Sequence, residues 1–259
     1  MSVRLSNRRT PKGTDGATLR KWAVIFLVAG VVGRCILQNT LLGMNSLDWA
    51  ELVELLNNDP SAMPILSAAL LCKFTESCAT PLFAFLLVEG FLRTGSFRNY
   101  LLRVGGLALL TELPYNLAMS GSLLAFKTRN PVFSLVIALA MLYFFRRYGG
   151  KSVRNVAIKA VVFVAAVLWC VMLNIEHGGF LMVFTLVMWL VREKSNARAL
   201  YGFCGAMVCT MFDLYYMGAC LSCIMLHRYN EERGDQNRIF NYAVYPAVLL
   251  LCGIAAKFL

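Results

Sequence analysis

Apolar stretches near the roughly 20 residues that cross a bilayer as one helix recur along this chain from Trp22 almost to Leu259. No other feature limits the fold so strongly, because lipid leaves backbone groups no partner outside a helix or a closed barrel. Composition agrees: 59% of the 259 residues are apolar and only 15% charged, against about 25% charged in a soluble domain. The reading is an all-α polytopic integral-membrane bundle of about eight or nine transmembrane helices. The expected spans are Trp22 to Gly43, a stretch within Met63 to Phe91, Leu101 to Ala118, Val132 to Phe145, Val156 to Leu173, Phe180 to Val191, a doubled segment Leu200 to Leu226, and Tyr242 to Phe258. The stretch from Met63 to Leu92 would reach about 45 Å as one helix, so a break near Lys73 to Pro81 is expected. The segment Leu200 to Leu226 reads as two short helices meeting near Asp213.

Charge placement gives the expected orientation. Residues 1–21 form a basic tail with six Lys or Arg, whereas the loop Met44 to Ser61 has none and carries Asp48, Glu51, Glu54 and Asp59. Following the spans, 20 of the 25 basic residues fall on the tail's side. By the positive-inside rule that side is cytoplasmic, and residues 22–259 make a single transmembrane domain behind the tail. The net charge of +11 is thus a topology signal, and no nucleic-acid partner is expected. The nine cysteines lie almost all in spans, where Cys packs as a small apolar residue; Cys220 and Cys223 have redox spacing without the fold context it needs. No metal site is expected.

An ionisable group inside the bilayer costs about 2.5–3.5 kcal/mol on the insertion scale, so each is a functional candidate. Arg34, Lys73, Glu76, Glu89, Glu112, Glu176 and Asp213 qualify. Lys73 and Glu76 stand three apart and Glu89 and Arg93 four apart, spacings that allow pairing on one helical face. Glu112 has no opposite charge within a turn, and lies about 16 Å into its span. Arg34 lies about 18 Å into its own and must meet a carboxylate, carbonyls or an anion; Glu112 is the expected mate. The two histidines, His177 in a short outer turn and His227 at a helix end, read as interfacial. No phosphate-binding loop, nucleophile elbow or H-E-x-x-H is present.

One string is distinctive: Pro81-Leu82-Phe83-Ala84-Phe85-Leu86-Leu87-Val88-Glu89-Gly90-Phe91-Leu92-Arg93-Thr94, then Tyr100 and Arg103, Thr111-Glu112-Leu113-Pro114-Tyr115-Asn116, and Asn130-Pro131-Val132-Phe133-Ser134-Leu135. It resembles the TraX family, in which a span ending Val-Glu-Gly-Phe, a Ser-Glu-x-Pro-Phe element and an Asn-x-x-Phe-Thr-Leu helix start follow in this order and spacing. Glu176-His177-Gly178, Tyr229 to Gly234 and Phe240 to Pro246 resemble later elements of that pattern.

The resemblance implies a membrane-acyltransferase-like protein of the bacterial inner membrane, associated with conjugation. It would move acetyl from acetyl-CoA to an amine or hydroxyl such as a pilin N-terminus. Glu112 and Glu89 would then handle the proton, and Arg34, Arg93, Arg103, Asn116 and Asn130 would bind substrate. The family's Asp-His pair in the first span and its histidine after the last Tyr-Pro fall on Gly30-Val31 and Val248 here. Loss of a catalytic base costs about a hundred- to ten-thousand-fold, so the alternative is a catalytically silent scaffold or assembly component. A solute transporter using Lys73, Glu76 and Glu112 would need the inverted repeat common in such folds, and none is visible.

Overall fold

The computed structural model of the chain describes residues 13–44, 47–125, 128–194, 197–234 and 238–258. Arg4, Arg8, Arg9, Lys12 and Lys127, counted in the charge asymmetry, lie outside the described residues. Eleven α-helices are described in chain order, with no strand among the described residues. The first, α1 (Gly16–Val32), starts earlier than Trp22 because Asp15 caps it, its side chain accepting the Thr18 backbone N–H at 2.8 Å. The Thr18 side chain and then its backbone N–H, both bonding to the carboxylate, hold the Asp15 carboxyl below its ordinary pKa. Arg20 and Lys21 therefore sit on a helix and not in the tail.

The helix continues as a π-helical segment, Gly33–Leu41, whose wider turn shows in bonds that reach five residues back. Thr40 Oγ1 donates to the Cys35 carbonyl at 2.8 Å and Leu42 N to the Leu37 carbonyl at 3.2 Å. The stretch read as an outer loop holds a short helix, α2 (Trp49–Asn58), started by a capping box between Asp48 and Glu51. Then α3 (Ala62–Ser77) and α4 (Ala79–Arg93) meet at Cys78, inside the expected break.

A single 24-residue helix, α5 (Phe97–Ser120), runs through Pro114 and ends on Gly121 in the left-handed conformation, φ 67°. Next come α6 (Val132–Arg147), α7 (Val153–Met172) and α8 (Gly178–Leu190). The doubled segment is two short helices, α9 (Arg198–Thr210) and α10 (Ala219–His227), joined by a 3-10 turn, Leu214–Gly218, that Asp213 caps. Last is α11 (Arg238–Ala255).

Three stretches are long and apolar enough to cross a membrane: 16–41, 62–93 and 153–172; 178–190, 214–227 and 242–255 are apolar but shorter. Burial separates the centre from the rim. In the most apolar window of 62–93, 56% of residues are buried, against 11% for 153–172. So α4 is the bundle's axis and α7 its outer wall, where Val161, Leu168, Trp169 and Met172 are exposed. An apolar exterior of that extent is unfavourable in water and suits lipid. The core around α4 gathers Leu82, Phe85, Phe91, Leu139, Leu142, Phe145, Met182 and Phe184.

Candidate functional site

Polar chemistry collects at the two ends of the bundle. At the end where α4 finishes and α5 begins, a cavity of about 390 Å³ is lined by Arg20, Arg93, Arg103, Arg233, Glu89, Tyr100 and Tyr242. Its inner wall is apolar, formed by Val24, Phe83, Leu107 and Leu135. Arg93 forms an ion pair with Glu89 at 2.7 Å, as the four-residue spacing on α4 allows, and donates to the Glu231 carbonyl at 2.8 Å. Tyr229 Oη donates to the same Glu89 carboxylate. Burial, reinforced by that bond, pushes the Tyr229 phenol above its ordinary pKa. The segment 228–234 is stitched to the start of α1: Thr14 N to the Arg228 carbonyl, Asn230 N to the Thr14 carbonyl and Gly16 N to the Glu232 carbonyl, at 2.8 to 3.0 Å. This strap brings Arg233 to the cavity, and Arg198 holds its Glu231 side chain at 3.2 Å.

Among the described residues that line the chamber, four guanidiniums stand with one carboxylate, a donor set that suits phosphate oxygens. The apolar inner wall suits an aliphatic arm. Arg93, Arg103 and Glu89, picked out from the sequence, all line it; Tyr229 to Gly234 stood out as a stretch, but that it straps onto the start of α1 and joins Arg233 and Arg20 to this cavity was not foreseen.

At the opposite end, Arg34 on the π segment is half-buried among carboxylates. Its Nη2 donates to Glu76 Oε2 at 3.0 Å, its Nη1 pairs with Glu176, and its Nη2 lies 3.4 Å from His177 Nε2. Tyr115 Oη donates to Glu176 at 2.7 Å, and His177 Nε2 stands 3.9 Å from both Glu76 and Glu176. Burial draws the His177 pKa below its ordinary value, against the pull of Glu76. Position 30 faces this cluster: a Cβ on Gly30 would lie 2.2 Å from the Glu76 side-chain carboxyl carbon. Glu76 thus fills the volume that a side chain at 30 would need.

Two expected pairings are corrected here. Arg34 does not meet Glu112, and Lys73 does not pair with Glu76. Glu76 turns inward to Arg34, while Lys73 reaches Asp213 at 3.6 Å and lies over the Tyr215 ring at 4.1 Å. Glu112 is held by Arg129 at 3.0 Å and by Asn130, whose Nδ2 donates to it at 2.6 Å. Asn130 Oδ1 in turn accepts the Val132 N–H at 2.9 Å, so Glu112 and Asn130 fasten the start of α6 to α5. Asn116 is buried and donates to the Leu123 carbonyl at 3.3 Å, closing the end of the same helix. His177, read as interfacial, belongs to the buried cluster instead. The signal for it was present in Glu176-His177-Gly178, but its partners lie on other helices.

All nine cysteines are free, and among the described residues no three His, Cys, Asp or Glu side chains gather in a way that could hold a metal. In comparisons with known proteins, residues 19–255 match the family described as TraX protein. No curated protein and no solved structure matches.

Proposed function

The chain belongs to the TraX family, and from that premise we propose that it is an integral-membrane acetyltransferase that takes acetyl-CoA into the arginine-lined chamber. The observation that carries this reading is the chamber itself, four arginines around one cavity with an apolar inner wall. In this reading all the apolar helices, eight or nine passes, are embedded as one domain in the inner membrane. The N-terminus and the chamber face the cytoplasm, where acetyl-CoA is made.

Acetyl-CoA supplies an activated thioester. The chain's part is to hold it: Arg93, Arg103, Arg20 and Arg233 take the phosphates, and the wall of Val24, Phe83, Leu107 and Leu135 takes the arm. Glu89 fixes the Arg93 guanidinium, with Tyr229 fixing Glu89 in turn. Glu112, Asn116 and Asn130 are positioning residues that set α5 against α6, and Arg34 serves the far end of the bundle. The acceptor is an amine or hydroxyl, with a pilin N-terminus the one the family implies.

The test is equilibrium binding of labelled acetyl-CoA to the detergent-purified chain, with unlabelled CoA as competitor. Each charge-assisted contact contributes about 1.5–3 kcal/mol, so Arg93→Ala and Arg103→Ala should each weaken binding by about tenfold or more. Wild-type affinity in both variants removes the chamber assignment. A second reading, a silent scaffold, draws on Gly30-Val31 and Val248 standing where the family carries its histidines; it predicts no acetyl-CoA binding and stable co-purification with another membrane protein.

A further inference from the structure

The half-buried ion-pair cluster at the far end is uneven: among the described residues that form its ion pairs, three cations, Arg34, Lys73 and Arg129, stand with four carboxylates, Glu76, Glu176, Asp213 and Glu112, and Arg34 reaches both Glu76 and Glu176. Carboxylates outnumber cations by one in this cluster, and the side chains around Arg34 are only partly exposed: 19% for Arg34, 9% for Glu76, 18% for Glu176 and 21% for His177. An uncompensated charge held this far from water is costly, and a cation arriving from outside would relieve it.

Arginine has donors only, so a hydrogen bond between Arg34 Nη2 and His177 Nε2, which lie 3.4 Å apart, requires Nε2 to be the acceptor and assigns the ring proton to Nδ1. His177 also holds a left-handed backbone conformation, φ 55°, which few residues other than glycine adopt, though histidine does so more often than most. The fold keeps that conformation while placing Nε2 3.9 Å from each of two carboxylates, and sparsely populated backbone conformations cluster at functional sites. The turn carrying it, residues 173–177, follows α7 at the end of the bundle opposite the strap.

We infer that Glu76, Glu176, Arg34 and His177 form a second site, which binds a primary ammonium group from the far face of the membrane and takes its proton on His177 Nε2. Glu76 and Glu176 hold the cation and then the imidazolium, and Arg34 keeps the two carboxylates apart. That the ammonium is the acetyl acceptor rests on the acetyltransferase reading; that the site binds it does not. In that role one proton passes from the ammonium to His177 and on to the outer solvent. The freed amine attacks the thioester carbonyl, a C–N bond forms and the C–S bond breaks. The second nitrogen proton leaves with the thiolate as CoA thiol. By helix rise the ten residues from Val24, on the chamber wall, to Arg34 cover about 15 Å, the gap the donor's arm must cross.

Only two histidines are present, so the full chain labelled with 13C and 15N at histidine gives two sets of resonances, and His177→Asn assigns them. The expected spectrum has His177 protonated at Nδ1. Adding n-propylammonium chloride should shift the His177 signals saturably while His227 stays still, and sodium chloride at equal ionic strength should not. Glu76→Gln and Glu176→Gln should each weaken that response at least tenfold, with unchanged His227 signals as the check on folding. A proton on Nε2, an equal response to sodium, or full propylammonium affinity in a folded carboxylate variant each overturns the site. Acetyl-CoA binding is measured on the same samples. Its absence beside an intact ammonium response would sink the acetyltransferase reading and keep the site, whereas its presence without that response would sink the site alone.

Discussion

Gly30 has no room for a methyl group. In an exposed helix interior Gly→Ala gains about 0.5–1 kcal/mol, but here the added Cβ would sit 2.2 Å from the Glu76 carboxyl carbon, and that carboxylate is tied to Arg34. Breaking a buried pair costs about 3–5 kcal/mol, so Gly30→Ala should destabilise the protein by a net of about 2 kcal/mol or more. Thermal unfolding in detergent checks the sign. His177 gives a pH prediction at the same scale. Its folded pKa lies below the unfolded value, so the unfolded chain binds more protons between the two. The contribution is complete above the unfolded value, about 6.5, and is lost as pH falls through the folded one. Unfolding scans from pH 7.5 to 5 should show stability falling below about 6.5, and His177→Asn should flatten that slope. The sequence makes each buried charge visible as an expense, which is why Arg34, Glu76 and Glu176 were all candidates. It does not show partners 42 or 143 residues away. Similar depth made Glu112 look like the mate of Arg34, but depth along a helix says nothing about which face a side chain takes. Glu112 turned instead to Arg129.

At the scale of elements, Glu112 acts as an external cap for α6. One carboxylate meets the Arg129 guanidinium, the Asn130 N–H at 3.3 Å and the Asn130 side chain, and Asn130 then caps Val132. Glu112→Ala would leave Arg129 and Asn130 without that partner and should destabilise by about 1–3 kcal/mol, since the Arg129 side chain is 35% exposed. Acetyl-CoA affinity in protein that remains folded should be unchanged, since Glu112 does not line the chamber. Unfolding curves and binding isotherms on the same preparation separate that outcome from a catalytic Glu112. The strap offers a second test: Gly234 has φ 69°, and a Cβ there would lie 2.1 Å from the Asp15 carboxylate oxygen. Gly234→Ala should therefore push the strap off the start of α1 and weaken acetyl-CoA binding several-fold, while Gly106→Ala, exposed, with open space around it and outside the chamber lining, should not. Most helices were legible from apolar runs and turn residues, including the break at Cys78 and the turn at Asp213. What escaped were the features set by local caps and packing: the early start at Gly16, the short α2 in an acidic loop and the π segment; the expected span Leu101 to Ala118 already ran through Pro114, as α5 does.

Across the whole molecule, the two polar centres lie at opposite ends. Arg20 and Arg34 share one continuous helical run, and their fourteen residues of separation correspond to about 21 Å. The chamber's Arg93, Arg103 and Arg233 all come from stretches counted as cytoplasmic by charge, whereas Arg129, Glu176 and His177 come from the sparsely basic side. A donor made in the cytoplasm and an acceptor presented outside would each meet the centre suited to it only in this orientation. The helix α5 supplies the test, because Gly95 precedes its first turn and Ser122 follows its last, with about 36 Å of helix between. Gly95→Cys and Ser122→Cys place a thiol at either end, Gly95 with open space for a side chain and Ser122 exposed. In intact spheroplasts a membrane-impermeant maleimide should label Ser122→Cys above the parent chain, and should reach Gly95→Cys only after the membrane is opened. The reverse pattern would put the arginine chamber outside, away from any acetyl-CoA supply, and the acetyltransferase reading would fail with it.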